Sequence, residues 1–260
     1  MIDLKNKVIV LTGGAGSIGT DAVTIIAENG GRVYFPDCVK EKGEKLEKEL
    51  KERGLFAEFI YTDVTDDESV KKSVDYILGK EGHIDVMINN VGYNVNADQR
   101  KVLPDYDEMW LRRVTNICLD GLYSYSKYVI PEMIKNGGGK IINTGSVTGF
   151  RTALKFQAPY NAAKHSIANI TRAMALEYGQ YGITCNSVIP GSVANWQIAS
   201  VVWGTEEKKN SMCKHIPLGH VGAPADIGNM MLYLCSDLSD YVNGCMINVD
   251  GGWAAGYAME

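Results

Sequence analysis

At 260 residues, 45% hydrophobic and 22% charged, the chain has an ordinary globular balance and enough length for one large core. A net charge of −5, with no concentrated basic patch, argues against a nucleic-acid or anionic-membrane surface. Residues 1–7 hold no apolar stretch of signal-peptide length, and no segment approaches the roughly 20 apolar residues of a membrane span.

The first element in chain order is a strand at 8–11. It runs into Thr12-Gly13-Gly14-Ala15-Gly16-Ser17-Ile18-Gly19 and a helix over 18–29. Glycines in a strand-to-helix turn allow tight curvature and close backbone approach to a pyrophosphate, which the helix N-terminus attracts. The second strand, 32–35, is followed by Pro36 and Asp37. A carboxylate there accepts bonds from ribose hydroxyls and repels a 2′-phosphate. No Lys or Arg lies in the glycine-rich turn to receive such a phosphate, so the unit favours NAD over NADP.

Residues 39–53 read as a solvated amphipathic helix, with Leu46 and Leu50 at helical spacing among Lys and Glu. Strand 58–61, helix 67–80, strand 86–89 and a long helix 106–136 follow. Strand 140–143, helix 159–181, strand 184–189, helix 223–236 and strand 246–249 complete the series. Short, mostly β-branched strands alternating with helices imply right-handed crossovers. The expected fold is α/β: a single Rossmann-type doubly wound parallel sheet of about seven strands, with helices on both faces, spanning 1–260 as one domain. Alternation lapses over 192–222, which carries Trp196, Trp203 and a helical run ending near Pro217. An insertion after a strand end is a candidate substrate lid.

The six cysteines contain no Cys-x-x-Cys pair and the four histidines do not cluster with them. Metal ligation and a disulfide framework are not expected, and the chain reads as cytoplasmic with reduced thiols.

Strand 140–143 leads to Thr144-Gly145-Ser146, and Pro159-Tyr160-Asn161-Ala162-Ala163-Lys164 opens the next helix. Tyr160 and Lys164 share a helix face, where an ammonium favours the phenolate and lets tyrosine exchange a proton near neutral pH. The interval alone is not distinctive, because Tyr76 with Lys80 and Tyr123 with Lys127 repeat it among 14 tyrosines. Order is what distinguishes it. The turn at 12–19, Asn89-Asn90-Val91-Gly92, Ser146, the Tyr160 and Lys164 pair, Pro190-Gly191 and Asp250-Gly251-Gly252 together resemble the short-chain dehydrogenase/reductase family over nearly the whole chain.

The resemblance implies an NAD-dependent oxidoreductase acting on a secondary alcohol or its ketone. Tyr160 would move a proton to or from the substrate oxygen. Lys164 would bond the nicotinamide ribose and lower the tyrosine pKa, and Ser146 would hold the substrate oxygen. Gly13, Ser17, Ile18 and Gly19 would belong to the pyrophosphate turn, Asp37 to the ribose, and Asp63 and Val64 to the adenine side. Asn90 and Gly92 would line the cofactor after the fourth strand, and Pro190, Gly191 and Val193 would shape the nicotinamide side. Helices 106–136 and 159–181 resemble those that build subunit interfaces in the family, which implies a homotetramer.

Four positions depart from the family pattern. Ser17 replaces a glycine, which is expected to weaken dinucleotide binding without abolishing it. The interval from Ser146 to Tyr160 is one residue longer, so the intervening loop must bulge. Asn195 stands where a threonine often bonds the nicotinamide amide. Cys118 aligns with a helix asparagine of the family's proton relay. A thiol is a weak donor and acceptor, and Asn116 lies roughly on the opposite helix face. Either the relay is rerouted or turnover is slower; Cys118 itself reads as a buried packing thiol.

Residues placed to face the substrate are Tyr93, Asn94, Asn96, Phe150, Arg151, Phe156, Trp196 and Trp203. Aromatics suit a ring or sugar face and amides suit hydroxyls, which points to a cyclic or polyhydroxylated alcohol. Arg151 or Lys155 would pair a carboxylate or phosphate, against the plainer reading of an exposed cation. Alternatives are a hydroxysteroid dehydrogenase, a 3-oxoacyl thioester reductase, and an NAD(H)-sensing binding protein motivated by Cys118 and Ser17. An epimerase or dehydratase of the family's extended branch is disfavoured, because only ten residues follow Asp250.

Overall fold

In the computed structural model, which describes residues 2–94, 96–194 and 205–256, short apolar runs pair side by side and the helices between them cover both faces. Strand β1 (Val8–Leu11) leads to α1 (Ser17–Glu28), β2 (Arg32–Asp37), α2 (Lys40–Glu52), β3 (Ala57–Tyr61), α3 (Asp67–Glu81) and β4 (Val86–Asn89). The second half adds α4 (Glu108–Thr115), α5 (Gly121–Lys135), β5 (Gly139–Thr144) and a one-turn segment, α6 (Val147–Phe150). Then come α7 (Ala158–Tyr178), β6 (Ile183–Pro190), α8 (Glu206–Cys213), α9 (Pro224–Cys235) and β7 (Met246–Val249). All seven strands are parallel in one sheet, in the order β3-β2-β1-β4-β5-β6-β7. The order reverses between β1 and β4, and ligands of such sheets bind in the crevice at that switch point.

A parallel sheet covered on both sides needs apolar residues at successive positions, which is why Val8 to Leu11 are all buried. On one face Leu11, Phe35 and Ile142 pack beneath α1, α2 and α9 through Ile26, Leu50 and Met231. On the other, Val10, Tyr34 and Ile141 pack beneath α3, α5 and α7 through Ile77, Val129 and Ile167. Helices α1 and α9 approach closely because Gly228 has no side chain. A Cβ there would lie 2.9 Å from Ile25 Cδ1 and 3.1 Å from Ala22 Cα.

Strand β2 runs two residues past the expected 32–35, through Pro36 to Asp37. Proline removes a ladder donor, and by the register of β2 on β1 the missing amide is the one that would have met the Leu11 carbonyl. Pairing with β1 stops at Val10 opposite Tyr34, and the Pro36 carbonyl receives the amide of Gly13 beyond the end of β1. The expected helix over 106–136 is also interrupted: α4 and α5 are joined by a π-helical turn, Asn116–Asp120. Helix α7 ends at Tyr178 and continues as a 3-10 turn to Tyr181.

The helical run expected near Pro217 is α8. Asn195, Trp196 and Trp203 lie outside the described residues. Among the described residues, no helix is long and apolar enough to cross a membrane.

Candidate active site

The ends of β1, β4 and β5 are tied together by one run of hydrogen bonds. Thr12 Oγ1 donates to the Ile88 carbonyl at 3.3 Å and accepts the Asn90 amide at 3.1 Å. Asn90 donates to the Gly13 carbonyl at 3.4 Å, and its own Oδ1 accepts from Thr144 Oγ1 at 3.2 Å. The Thr144 carbonyl accepts from Lys164 Nζ at 2.8 Å. Beneath this run, Asn89 donates to Asn143 at 2.9 Å, and Asn143 to Thr171 at 2.9 Å. The glycine-rich turn and the helix carrying Tyr160 and Lys164 are thereby held in one frame.

Ser146 follows β5 in extended conformation, and its hydroxyl caps α6 by accepting the Thr148 amide at 3.2 Å. That hydroxyl stands near the Tyr160 phenol and acts to lower its pKa. Burial pushes the phenol up to about 12; the nearby Cys118 adds to the rise and the Ser146 hydroxyl opposes it. Lys164 is 3% exposed, and burial pulls its ammonium below the usual lysine range. Gly92 lets the chain pass: a Cβ there would sit 3.1 Å from Lys164 Nζ. The expectation that Lys164 lowers the phenol therefore meets a different balance. The ammonium is bonded to the Thr144 carbonyl, and desolvation of the phenol prevails.

The nucleotide side has the shape that a dinucleotide needs. Gly13 adopts φ +70, and a Cβ on Gly19 would run into the Gly13 carbonyl. Helix α1 starts without a side-chain cap, leaving its first amides toward the turn. Ser17 Oγ is buried there with no partner among the described residues, a hydroxyl suited to a phosphate oxygen. The side chain of Ile18 packs on the core beneath α1, so only its backbone faces the turn. Asp37 is fixed by accepting the Ala15 amide at 3.0 Å and the Val39 amide at 2.9 Å. Each oxygen keeps a lone pair for a ribose hydroxyl.

Asp63 accepts from the Thr65 amide and hydroxyl at 2.9 and 2.7 Å, and Val64 packs against Gly121. Pro190 ends β6. Gly191 lies against Asp250, where a Cβ would meet the Asp250 backbone at 2.7 Å, and Val193 bridges Gly222.

On the substrate side, Tyr93 joins Tyr106, Trp110 and Tyr160 around Val114, Cys118 and Ala163. Cys118 Sγ accepts the Tyr93 amide at 3.4 Å and donates to the Tyr93 carbonyl at 3.5 Å. The thiol is thus more than packing: it clasps the loop that follows β4. Asn94 donates to Gln157, and the Tyr106 hydroxyl donates to the Phe156 carbonyl at 3.3 Å. The long interval after Ser146 is taken up by Gly149 at φ +92 and Phe156 at φ +63. Asn96, Arg151 and Lys155 are exposed. Phe150 sits between Arg151 at 5.2 Å and Arg172 at 5.9 Å, outside the Tyr160 cluster. Tyr106, Trp110 and Gln157 were not expected at the site, although Trp110, Val114 and Cys118 recur every four residues on one helix face.

The geometry has a counterpart in known proteins. Residues 13–254 match the family model described as enoyl-(acyl carrier protein) reductase. An uncharacterized oxidoreductase of Bacillus subtilis (strain 168), YxbG, is 37% identical over 254 residues, covering 96% of this chain and 91% of the relative. The 7alpha-hydroxysteroid dehydrogenase of Clostridium sardiniense is 33% identical, covering 97% and 95%. The crystal structure of a gluconate 5-dehydrogenase from Burkholderia cenocepacia J2315, in complex with NADP and tartrate, superposes with a TM-score of 0.91 at 27% identity over 98% of each chain. The chain belongs to the short-chain dehydrogenase/reductase family.

Proposed function

We propose that this member of the short-chain dehydrogenase/reductase family is an NAD-dependent oxidoreductase that interconverts a secondary alcohol and its ketone. The observation that carries the reading is the Tyr160 phenol near the Ser146 hydroxyl, on the helix of buried Lys164, which is tied through Thr144 and Asn90 to the glycine-rich turn.

A bound nicotinamide dinucleotide supplies the hydride acceptor or donor. The residues of this chain supply the rest. Ser146 and Tyr160 present two hydroxyls to one substrate oxygen. In reduction the Tyr160 phenol gives its proton to the developing alkoxide while Ser146 holds that oxygen; in oxidation the phenolate takes the proton back. Lys164, fixed on the Thr144 carbonyl, holds positive charge beneath the pair. Tyr93, Tyr106 and Trp110 offer apolar faces that exclude water and suit a ring or carbon chain.

NAD is favoured over NADP by Asp37, whose clamped carboxylate stands where a 2′-phosphate would need a cation. The gluconate 5-dehydrogenase neighbour was solved with NADP, so both cofactors belong in the test. The six thiols are free, which suits a reducing cytoplasm, and the assembly is a homotetramer.

The test is NADH absorbance from NAD, with NADP in parallel, over hydroxysteroids, polyols, cyclic alcohols and hydroxyacyl thioesters. Turnover is expected with NAD, and Tyr160→Phe is expected to lower it about 10²- to 10⁴-fold. Full activity in that variant would remove Tyr160 from the mechanism. Tight NAD(H) binding without turnover would favour a sensor.

A further inference from the structure

Ser146, at the end of β5, and Tyr160, in the first turn of α7, are joined by the segment 147–159, which includes α6. Its near arm folds back on itself: Gly149 donates to the Thr152 carbonyl at 2.6 Å and Thr152 to the Val147 carbonyl at 3.0 Å. Gly149 holds φ +92. A Cβ there would run into the Asn161 carbonyl and lie 3.0 Å from the His165 amide nitrogen, so this arm rests on the backbone of α7. The Gly149 carbonyl also bonds His165 Nδ1. A carbonyl only accepts, so the ring nitrogen donates.

The far arm is held by one side chain. Asn161 Nδ2 donates to the Leu154 carbonyl at 3.0 Å, and Asn161 Oδ1 accepts the Leu154 amide at 3.3 Å. One carboxamide thus satisfies both backbone groups of Leu154, as a paired strand residue would. Aspartate lacks the donor, serine is too short to reach both groups, and glutamine is one methylene longer. Two residues on, Phe156 holds φ +63, a conformation that a bulky residue keeps only where its surroundings over-determine it. Its carbonyl takes the Tyr106 hydroxyl at 3.3 Å, and Asn94 donates to buried Gln157.

Helix α7 therefore carries two i, i+4 pairs side by side: Tyr160 with Lys164, and one residue on, Asn161 with His165. We propose that Asn161 and His165 are positioning residues, which clamp both arms of the 147–159 segment to the first two turns of α7 and so fix Ser146 relative to Tyr160. The proposal rests on the oxidoreductase reading above. From His165 the hold passes through Gly149 to Thr148, whose amide donates to the Ser146 hydroxyl at 3.2 Å. Two hydroxyls that serve one substrate oxygen are sensitive to displacement, since about 1 Å of misplacement costs on the order of a hundredfold in rate.

The experiment compares Asn161→Ala, Asn161→Asp, His165→Ala and His165→Asn with wild type and Tyr160→Phe. Asn161→Ala is expected to lose about tenfold to a hundredfold in kcat while NADH affinity and circular dichroism hold. His165→Asn keeps a donor for the Gly149 carbonyl and is expected to fall between wild type and His165→Ala. Asn161→Asp gives a readout that general destabilisation does not. An ionised carboxylate opposes the Leu154 carbonyl, whereas a protonated carboxyl restores one donor and one acceptor. Ketone reduction by Asn161→Asp, as a ratio to wild type at each pH, is expected to rise as pH falls toward about 4, and that of Asn161→Ala to stay flat. The charged groups on the segment and the first two turns of α7 are Arg151, Lys155, Lys164 and His165. As cations at low pH they move the midpoint of that rise, not its direction. Wild-type kcat in Asn161→Ala, or a flat ratio in Asn161→Asp, overturns the proposal, and so does a loss of NADH affinity that matches the loss of kcat. Trypsin reads the clamp without turnover, because Arg151 and Lys155 are exposed. Cleavage after them is expected to be about tenfold faster in Asn161→Ala, through the loss of two hydrogen bonds, and equal rates overturn the clamp. Full activity in Tyr160→Phe removes the oxidoreductase reading, while the tryptic rates still decide whether Asn161 holds the loop.

Discussion

A phenol pushed up to about 12 is a competent acid at neutral pH and a scarce base. The sign of the pH dependence follows. Tyrosine is neutral when protonated, burial favours that neutral form, and the phenolate fraction therefore climbs about tenfold per pH unit below the pKa. Ketone reduction, which uses the protonated phenol, is expected to stay level from pH 6 to 9 on the scale of about one unit in the logarithm. Alcohol oxidation, which uses the phenolate, is expected to rise across the same range with a slope near one. Log kcat/KM against pH in both directions checks this. A plateau in oxidation near neutrality would mean that the phenol is lowered in the reacting complex, as the Tyr160 and Lys164 pairing in the sequence suggests. At this scale the sequence pointed to the residues but not to the balance of forces among them. Ser146, Tyr160 and Lys164 were legible from their order, whereas burial of the pair is a property of the folded neighbourhood.

Helices α4 and α5 show how an element can be legible in extent and hidden in geometry. Trp110, Val114, Cys118 and Leu122 recur every four residues and all turn inward. On an α-helix each such step drifts by about 40°, because 3.6 residues make a turn. The wider π turn at Asn116–Asp120 corrects that drift, so the repeat of four was a signal, though not one that marks which residues widen. The turn buries Cys118 and leaves Asn116 exposed, and the thiol meets both backbone groups of Tyr93. Cys118→Ala leaves that amide and carbonyl without partners. It is expected to cost about 1–3 kcal/mol, visible as a lower thermal midpoint, and to raise substrate KM by loosening Tyr93. Cys118→Asn restores a donor and an acceptor and is expected to hold the midpoint. An alanine variant with wild-type midpoint and KM would reduce Cys118 to filling space. Tyr106 and Trp110 were not legible as site residues, because strand and helix periodicity cannot say which loop closes on which.

At the scale of the whole molecule, one parallel sheet with helices on both faces follows from alternation and crossover handedness, and this part of the fold was readable in advance. The outer surface was less so. Helix α7 leaves Leu176 85% exposed and α5 leaves Tyr123 66% exposed, although each helix packs its other side into the core. Apolar side chains on two neighbouring helices suit a two-fold interface, where each residue is used twice. Burying one leucine stabilises by about 1.5–3 kcal/mol, so a symmetric contact doubles the effect of losing it. Wild-type protein is expected to sediment as a tetramer at micromolar concentration, and Leu176→Glu as smaller species. A stable wild-type monomer would remove the assembly. The same helix carries Tyr160 and Lys164, and α5 continues from the turn that carries Cys118. Dissociation should therefore reach the chemistry: kcat/KM of Leu176→Glu is expected to fall on dilution while that of wild type stays constant, because only in the variant does the helix bearing Tyr160, the proposed proton donor, lose its outer support.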